Sequence, residues 1–169
     1  MNAGRVTSSG EADAVMSLPA DEWTARFLGM EAPLAGRVVR SEDGLVTAEV
    51  GGAGGDGADA GGAADRAAVE IVAVGSCAVG AQVMLAVPPE DVTIEIGDAG
   101  GLVSSARNRL DGVVEHLEPR GVTWHVGVRC GGVVLASTVS RRAVSDLALA
   151  VGVPVRLSFK ASAVRVRRV

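Results

Sequence analysis

Aromatic residues are scarce in this chain: Trp23, Phe27, Trp124 and Phe159 are all there are among 169 residues, and tyrosine is absent. A core built from such a sequence must be aliphatic, and a surface that holds nucleic acid by stacking bases has almost nothing to stack them on. Cysteine is rarer still. Cys77 and Cys130 stand far apart, form no Cys-x-x-Cys pair and have only His116 and His125 as companions, so neither a disulfide framework nor a zinc site is indicated. Two buried free thiols in a reducing cytosol are expected. No apolar run approaches the ~20 residues that span a bilayer, and the N-terminus lacks a basic stretch leading into an apolar one. These absences predict a soluble, cytoplasmic chain without direct membrane insertion. Also missing is a Gly-x4-Gly-Lys-Ser/Thr loop, without which nucleotide phosphates have neither a backbone cradle nor a lysine. No nucleophile, base and orienting group stand out, and the chain is read as a non-enzyme.

Basic residues are few in the first half and acidic ones few in the second. Residues 1–100 hold five Arg against sixteen Asp and Glu, a net of −11. Residues 101–169 hold ten Arg and Lys160 against Asp111, Glu115, Glu118 and Asp146, a net of +7. A small anion is favoured by the second half. Arg165, Arg167 and Arg168 read as a solvated strand end, and no nucleic-acid partner is expected.

What the chain does have is a repeat. Leu34-Ala35-Gly36-Arg37-Val38-Val39 is echoed by Leu110-Asp111-Gly112-Val113-Val114-Glu115, and Gly80-Ala81-Gln82-Val83-Met84-Leu85 by Gly152-Val153-Pro154-Val155-Arg156-Leu157. Order and spacing agree, which implies two copies of one unit. In the second copy Val122, Trp124, Val126, Val128 and Cys130 alternate with Thr123, His125, Gly127 and Arg129, the period-two pattern of a half-buried strand. That pattern puts Trp124 inside and His125 outside. Val155, Leu157 and Phe159, and then Val164 and Val166, continue the alternation. Between them Ser140 is placed to cap a short helix whose Val144 and Leu147 face inward. The Gly-rich stretch 51–65 reads as a loop inside the first copy, because Val69-Ile71-Val72-Val74 beyond it resumes a strand.

The predicted fold is all-β: tandem OB-like five-stranded β-barrels with short helices behind a short N-terminal helical leader. The expected divisions are a leader at 1–31, a first barrel at 32–97 and a second at 98–169.

One further pattern concerns chemistry. Ser104-Ser105-Ala106-Arg107-Asn108 opens the second copy and Lys160-Ala161-Ser162 closes it. Small side chains, consecutive backbone N–H groups, hydroxyls, a guanidinium and an ammonium are what a tetrahedral dianion requires. Taken alone, the first segment is a polar turn before a strand, and Lys160 is a solvated lysine.

Together, Ser105-Ala106-Arg107-Asn108, Leu110-Asp111-Gly112 and Lys160-Ala161-Ser162 resemble, in order, the motifs of the molybdate-binding Mop module. The two copies resemble the TOBE, or di-Mop, pair at the C-terminus of ATP-binding subunits of molybdate and related ABC importers. The leader, Leu18-Pro19-Ala20-Asp21-Glu22-Trp23 and Arg26-Phe27-Leu28-Gly29-Met30-Glu31, resembles the end of such a subunit's ATPase domain. The resemblance implies noncatalytic binding of molybdate or tungstate, with no cofactor, for regulation of molybdate import or intracellular molybdenum homeostasis. It also implies pairing into a homodimer or higher oligomer, with the oxyanion at the interface, and ABC transporter subunits as partners. Carried onto these positions, Ser105 and Ser162 are hydroxyl donors, Ala106 and Arg107 backbone donors, Arg107 and Lys160 charge partners, Asn108 a brace for the turn, and Ala161 part of the closing run. The first copy has Glu31 and Pro88-Pro89 where the second has Arg107 and Lys160-Ala161, so one type of site is expected, built from the second copy. The competing expectation is a TOBE-type dimerisation or docking module of an ABC transporter that binds no oxyanion.

Overall fold

The computed structural model describes residues 33–51, 67–97 and 103–169. The expected leader and nearly all of the Gly-rich stretch lie outside the described residues. Ten strands follow one another: β1 Leu34–Glu42, β2 Leu45–Val50, β3 Val69–Val74, β4 Gln82–Ala86, β5 Thr93–Glu95, β6 Asn108–Arg120, β7 Thr123–Cys130, β8 Val133–Ser140, β9 Pro154–Phe159 and β10 Arg165–Arg168. One α-helix, α1 (Arg141–Asp146), and two 3₁₀ turns, Pro89–Asp91 and Ala161–Ala163, complete the described elements. The architecture is that of tandem OB-like barrels, two curled five-stranded sheets.

The repeat read from the sequence shows up as repeated irregularities. Antiparallel pairing of β1 with β2 slips by one residue between Val38 and Arg40, and that of β6 with β7 slips between Val114 and His116. Both bulges fall at equivalent places after the Leu-x-Gly motif and bend the strands that each sheet wraps around. The glycine of that motif has a steric cause in each copy. A Cβ on Gly36 would lie 2.7 Å from Val50 Cγ1, and one on Gly112 would lie 2.5 Å from the Arg129 carbonyl oxygen. Asp43-Gly44 joins β1 to β2 with both residues at positive φ, 52° and 72°. This is the tight-turn geometry that Asp-Gly favours between twisted strands.

The sheets do not respect the division at 97/98. Strand order is β10-β4-β1-β2-β3 in one sheet and β5-β9-β6-β7-β8 in the other. Each therefore takes its outermost strand from the other half of the chain. The exchange is symmetric: Ile94 of β5 lies opposite Leu157 of β9, and Val166 of β10 lies opposite Leu85 of β4, the counterpart of Leu157. The 3₁₀ turns follow the same rule, Pro89–Asp91 packing on β8 and Ala161–Ala163 on β3. One continuous, largely aliphatic core results, running from Val38, Ile71 and Leu85 to Ile94, Leu157 and the one buried aromatic among the described residues, Phe159.

Polar bonds also join the halves. Asn108 donates its Nδ2 to the Val72 carbonyl (2.9 Å) and accepts from the Val72 N–H (2.7 Å), so its amide acts as a one-residue strand against the open side of β3. Ser137 Oγ donates to the Val92 carbonyl (2.5 Å), and the Gly132 N–H to Ala67 (2.8 Å). As expected, the Ser140 hydroxyl caps α1 by accepting from the Ala143 N–H (3.1 Å). Cys130 is buried, Cys77 is half-buried, and both are free thiols.

The strand pattern through Trp124 needs correction. His125 is the buried residue, at 3% exposure, whereas Trp124 is half-buried and Val122 stands in the exposed turn before β7. The bulge in β6 is the reason. It brings the His116 ring over Gly127, where an added Cβ would come within 2.1 Å of it, and the ring stacks on His125 with centroids 6.1 Å apart. The outer face of β7 is thereby covered too, and period two no longer distinguishes inside from outside.

Candidate functional site

The segments expected to hold an anion meet at one place. An open depression of about 530 Å³ lies along the β5–β9 edge and is lined on one side by Ser104, Ser105 and Ala106 and on the other by Lys160, Ser162 and Ala163. Each wall has a local cause. Ser104 Oγ accepts from the Ala106 N–H at 3.0 Å, which curls the first segment into a hydroxyl-closed turn. Lys160 leaves β9 extended and opens the 3₁₀ turn, whose own hydrogen bonds begin at the Ala163 N–H (3.1 Å to the Lys160 carbonyl).

The remaining expected residues are placed differently. Ala161 is buried and packs in the turn; Asn108, at 2% exposure, turns away to Val72; Arg107 is exposed but does not line the depression. Of the seven singled out, Ser105, Ala106, Lys160 and Ser162 come together.

The exchange of β5 adds residues that sequence reasoning did not assign. Thr93 and Glu95 of β5 line it with Ser158 of β9, and Glu90 and Asp91 join them from the 3₁₀ turn before β5. Glu95 Oε1 accepts from the Ser158 hydroxyl at 2.6 Å, while Oε2 is sealed from solvent without any hydrogen-bond partner. The signal that could have found them was the alignment of Pro88-Pro89 with Lys160-Ala161, which puts two equivalent turns at the two ends of exchanged strands. Electrostatically the depression is unlike the half that carries most of it, since three first-half carboxylates line it together with Lys160.

Beside the depression, on the outer face of β6 and β9, Arg156 grips Asp111 with two hydrogen bonds, Nε to Oδ1 at 2.6 Å and Nη2 to Oδ2 at 3.2 Å. The hydrogen bond from Arg156 holds the Asp111 carboxyl below the usual carboxylate range, burial opposing and the guanidinium charge assisting. Behind β6, burial, with a smaller push from the Asp111 charge, raises the Cys130 thiol to about 12. It is therefore an inert core residue rather than a nucleophile. No group of three or more His, Cys, Asp and Glu that could hold a metal ion occurs among the described residues. No helix among them is long and apolar enough to cross a membrane.

Comparison with known proteins agrees with this architecture. Residues 104–166 match the TOBE domain. The chain is 28% identical over 170 residues to a molybdate/tungstate import ATP-binding protein, WtpC, of Pyrococcus abyssi, and 30% identical over 172 residues to that of Pyrococcus horikoshii. Each match takes in 98% of this chain but 41% of the relative, so the chain spans about two fifths of their length. A crystal structure of the cytoplasmic molybdate-binding protein ModG with molybdate bound superposes with a TM-score of 0.61 at 26% identity, over 79% of this chain and 93% of that one. The second copy of this chain, residues 104–166, is a TOBE domain, and the chain as a whole resembles the corresponding region of molybdate/tungstate import ATP-binding proteins.

Proposed function

We propose that this chain binds a tetrahedral oxyanion, molybdate or tungstate, without catalysis, in the depression between Ser104–Ala106 and Lys160–Ala163. The observation that carries the reading is convergence. Two polar segments from opposite ends of the second copy, each an unremarkable turn by itself, face one another across a depression with hydroxyls on both walls and Lys160 on one. The ligands named for WtpC and ModG are the same class of anion. Ser105 and Ser162 donate hydroxyls, the turn at Ala106 positions them, and Lys160 supplies charge. Arg107, exposed beside the depression, is the charge offered to a second copy, so that an oligomer completes what one chain begins. The setting is cytoplasmic, and the partners are a second copy of the chain and ABC transporter subunits.

The acidic part of the lining supports the rival reading, a docking module without an oxyanion, since Glu90, Asp91 and Glu95 repel a dianion. Calorimetric titration with molybdate, tungstate and sulfate decides, run beside the double variant Arg107→Ala, Lys160→Ala. Binding of the first two anions that weakens at least tenfold in the variant supports the oxyanion site. Absence of heat and of thermal stabilisation with every anion leaves the docking module.

A further inference from the structure

We propose that the acidic part of the depression seats β10 of a second copy of this chain, where Arg165 and Arg167 of the partner subunit meet Glu90 and Asp91. Every chain carries two edges of one build. β5 lies on β9 as β10 lies on β4, with Thr93 opposite Ser158 and Ile94 opposite Leu157 at one edge, and Arg165 opposite Ala86 and Val166 opposite Leu85 at the other. Arg165 therefore stands where Thr93 stands, and the two edges differ in charge. Glu90 and Asp91, from the turn before β5, line the depression, whereas Arg165 and Arg167 alternate with the half-buried Val166 and leave one face of β10 about 7 Å apart. All four side chains are exposed, and no ion pair within this chain engages any of them among the described residues.

Volume points the same way. The depression measures about 530 Å³, within the range of about 300–1,000 Å³ that holds a drug-sized ligand, whereas a tetrahedral oxyanion has only five heavy atoms. An anion held by Ser105, Ser162 and Lys160 leaves room for side chains from outside. Apolar side chains flank both faces as well: Ile96 directly after β5 is 46% exposed, Val103 directly before Ser104 is 99% exposed, and Val169 directly after β10 is 78% exposed. Charge selects which faces meet, and these residues add apolar burial to the contact.

One consequence rests on the oxyanion reading. In a single chain Glu90 and Asp91 oppose a dianion beside Lys160. Arginines of the partner subunit offset those carboxylates, so molybdate strengthens association and association strengthens molybdate binding by the same factor.

The test is sedimentation of the intact chain, first without molybdate at about 0.01 M and about 1 M salt, between which the screening length falls from about 30 Å to about 3 Å, and then with saturating molybdate. It is run on the wild type, on the double variant Arg165→Glu, Arg167→Glu, on the double variant Glu90→Arg, Asp91→Arg, and on an equal mixture of the two, each checked for fold by circular dichroism. The wild type is expected to associate at low salt and to come apart at high salt. Each double variant alone should associate at least about tenfold more weakly, because two attractive pairs become repulsive. The mixture should regain association, since each variant then offers the face that the other needs. Association that both folded variants retain, or a mixture of folded variants that stays apart, overturns the pairing. A wild type that remains monomeric at low salt with and without molybdate overturns it without recourse to any variant. Calorimetric heat with molybdate from such a monomer keeps the oxyanion site and removes the pairing, whereas salt-sensitive association without molybdate heat keeps the pairing and removes the site.

Discussion

Asn108 separates a binding role from a structural one by measurement. Replacing it with Ala removes both hydrogen bonds to Val72, leaving an N–H and a carbonyl on the outer side of β3 without partners. Each such group costs ~1–3 kcal/mol when buried. Val72 is half-buried, so water recovers part of this, and the expected total is about 2–3 kcal/mol. That is a large share of the 5–15 kcal/mol typical of a whole domain. Urea unfolding followed by far-UV circular dichroism reads it as a lowered midpoint at unchanged slope. Asn108→Asp sharpens the test, because a carboxylate accepts from the Val72 N–H but faces the carbonyl with no proton to offer. Burial and that carbonyl raise the folded-state pKa of the new carboxyl above its unfolded value of ~3.9. The neutral form is then the stabilising one, and the variant gains stability relative to wild type as pH falls from 7 toward 4. A loss below ~0.5 kcal/mol in Asn108→Ala, accompanied by loss of molybdate affinity, refutes this reasoning and returns Asn108 to the ligand.

Gly127→Ala drives a methyl into the His116 ring 2.1 Å away and is expected to cost ~1–3 kcal/mol as overpacking, read by thermal melting; His116→Ala in the same background should restore most of it, and no restoration counts against the contact. Cys130 should resist iodoacetamide at pH 8 until the chain is unfolded. Because its folded value, about 12, lies above the ordinary ~8.5, its contribution to stability is whole below pH ~8.5 and is lost as pH rises toward 12, so Cys130→Ala should flatten the alkaline limb of the stability profile. Residues 98–169 expressed alone lack β5 and leave β10 without β4, so they should fail to unfold cooperatively in urea; a fragment as stable as the whole chain refutes a structural need for the exchange.

Much of this fold was legible because its units are marked by steric necessity. Gly36 and Gly112, at the same place in the repeat, must be glycine to let a neighbouring strand approach, and Ser140 announces its helix. The identity of the partners was not legible. Thr93-Ile94-Glu95 shows strand alternation with Ile94 inward, but three residues of alternation carry no mark of which sheet they join, and a repeat invites assigning each strand to its own copy. His125 was misread for a related reason: its burial depends on a bulge in another strand and on a ring from that strand lying over Gly127. Hydroxyls and Lys160 were legible at the site because they lie in two short runs. The carboxylates were not, because they reach it only through the exchanged strand.

The exchange changes what charge asymmetry means in this chain. With a net of −11 in one half and +7 in the other, the sequence suggests an acidic barrel that repels anions and a basic one that attracts them. Swapping outer strands mixes the two. β10 carries Arg165, Arg167 and Arg168 into the acidic half's sheet, and β5 with its preceding turn carries Glu90, Asp91 and Glu95 to the basic half's depression. The two exchanged edges are not alike: Glu95 of β5 lies opposite Arg156 of β9, whereas the arginines of β10 lie opposite the uncharged Val83, Met84 and Ala86 of β4. The carboxylates that arrive with β5 and its preceding turn also bear on an anion. A dianion beside Lys160 also meets carboxylates brought from elsewhere in the chain, so the charge around the depression is set at the β5–β9 edge and not by the net charge of the barrel around it.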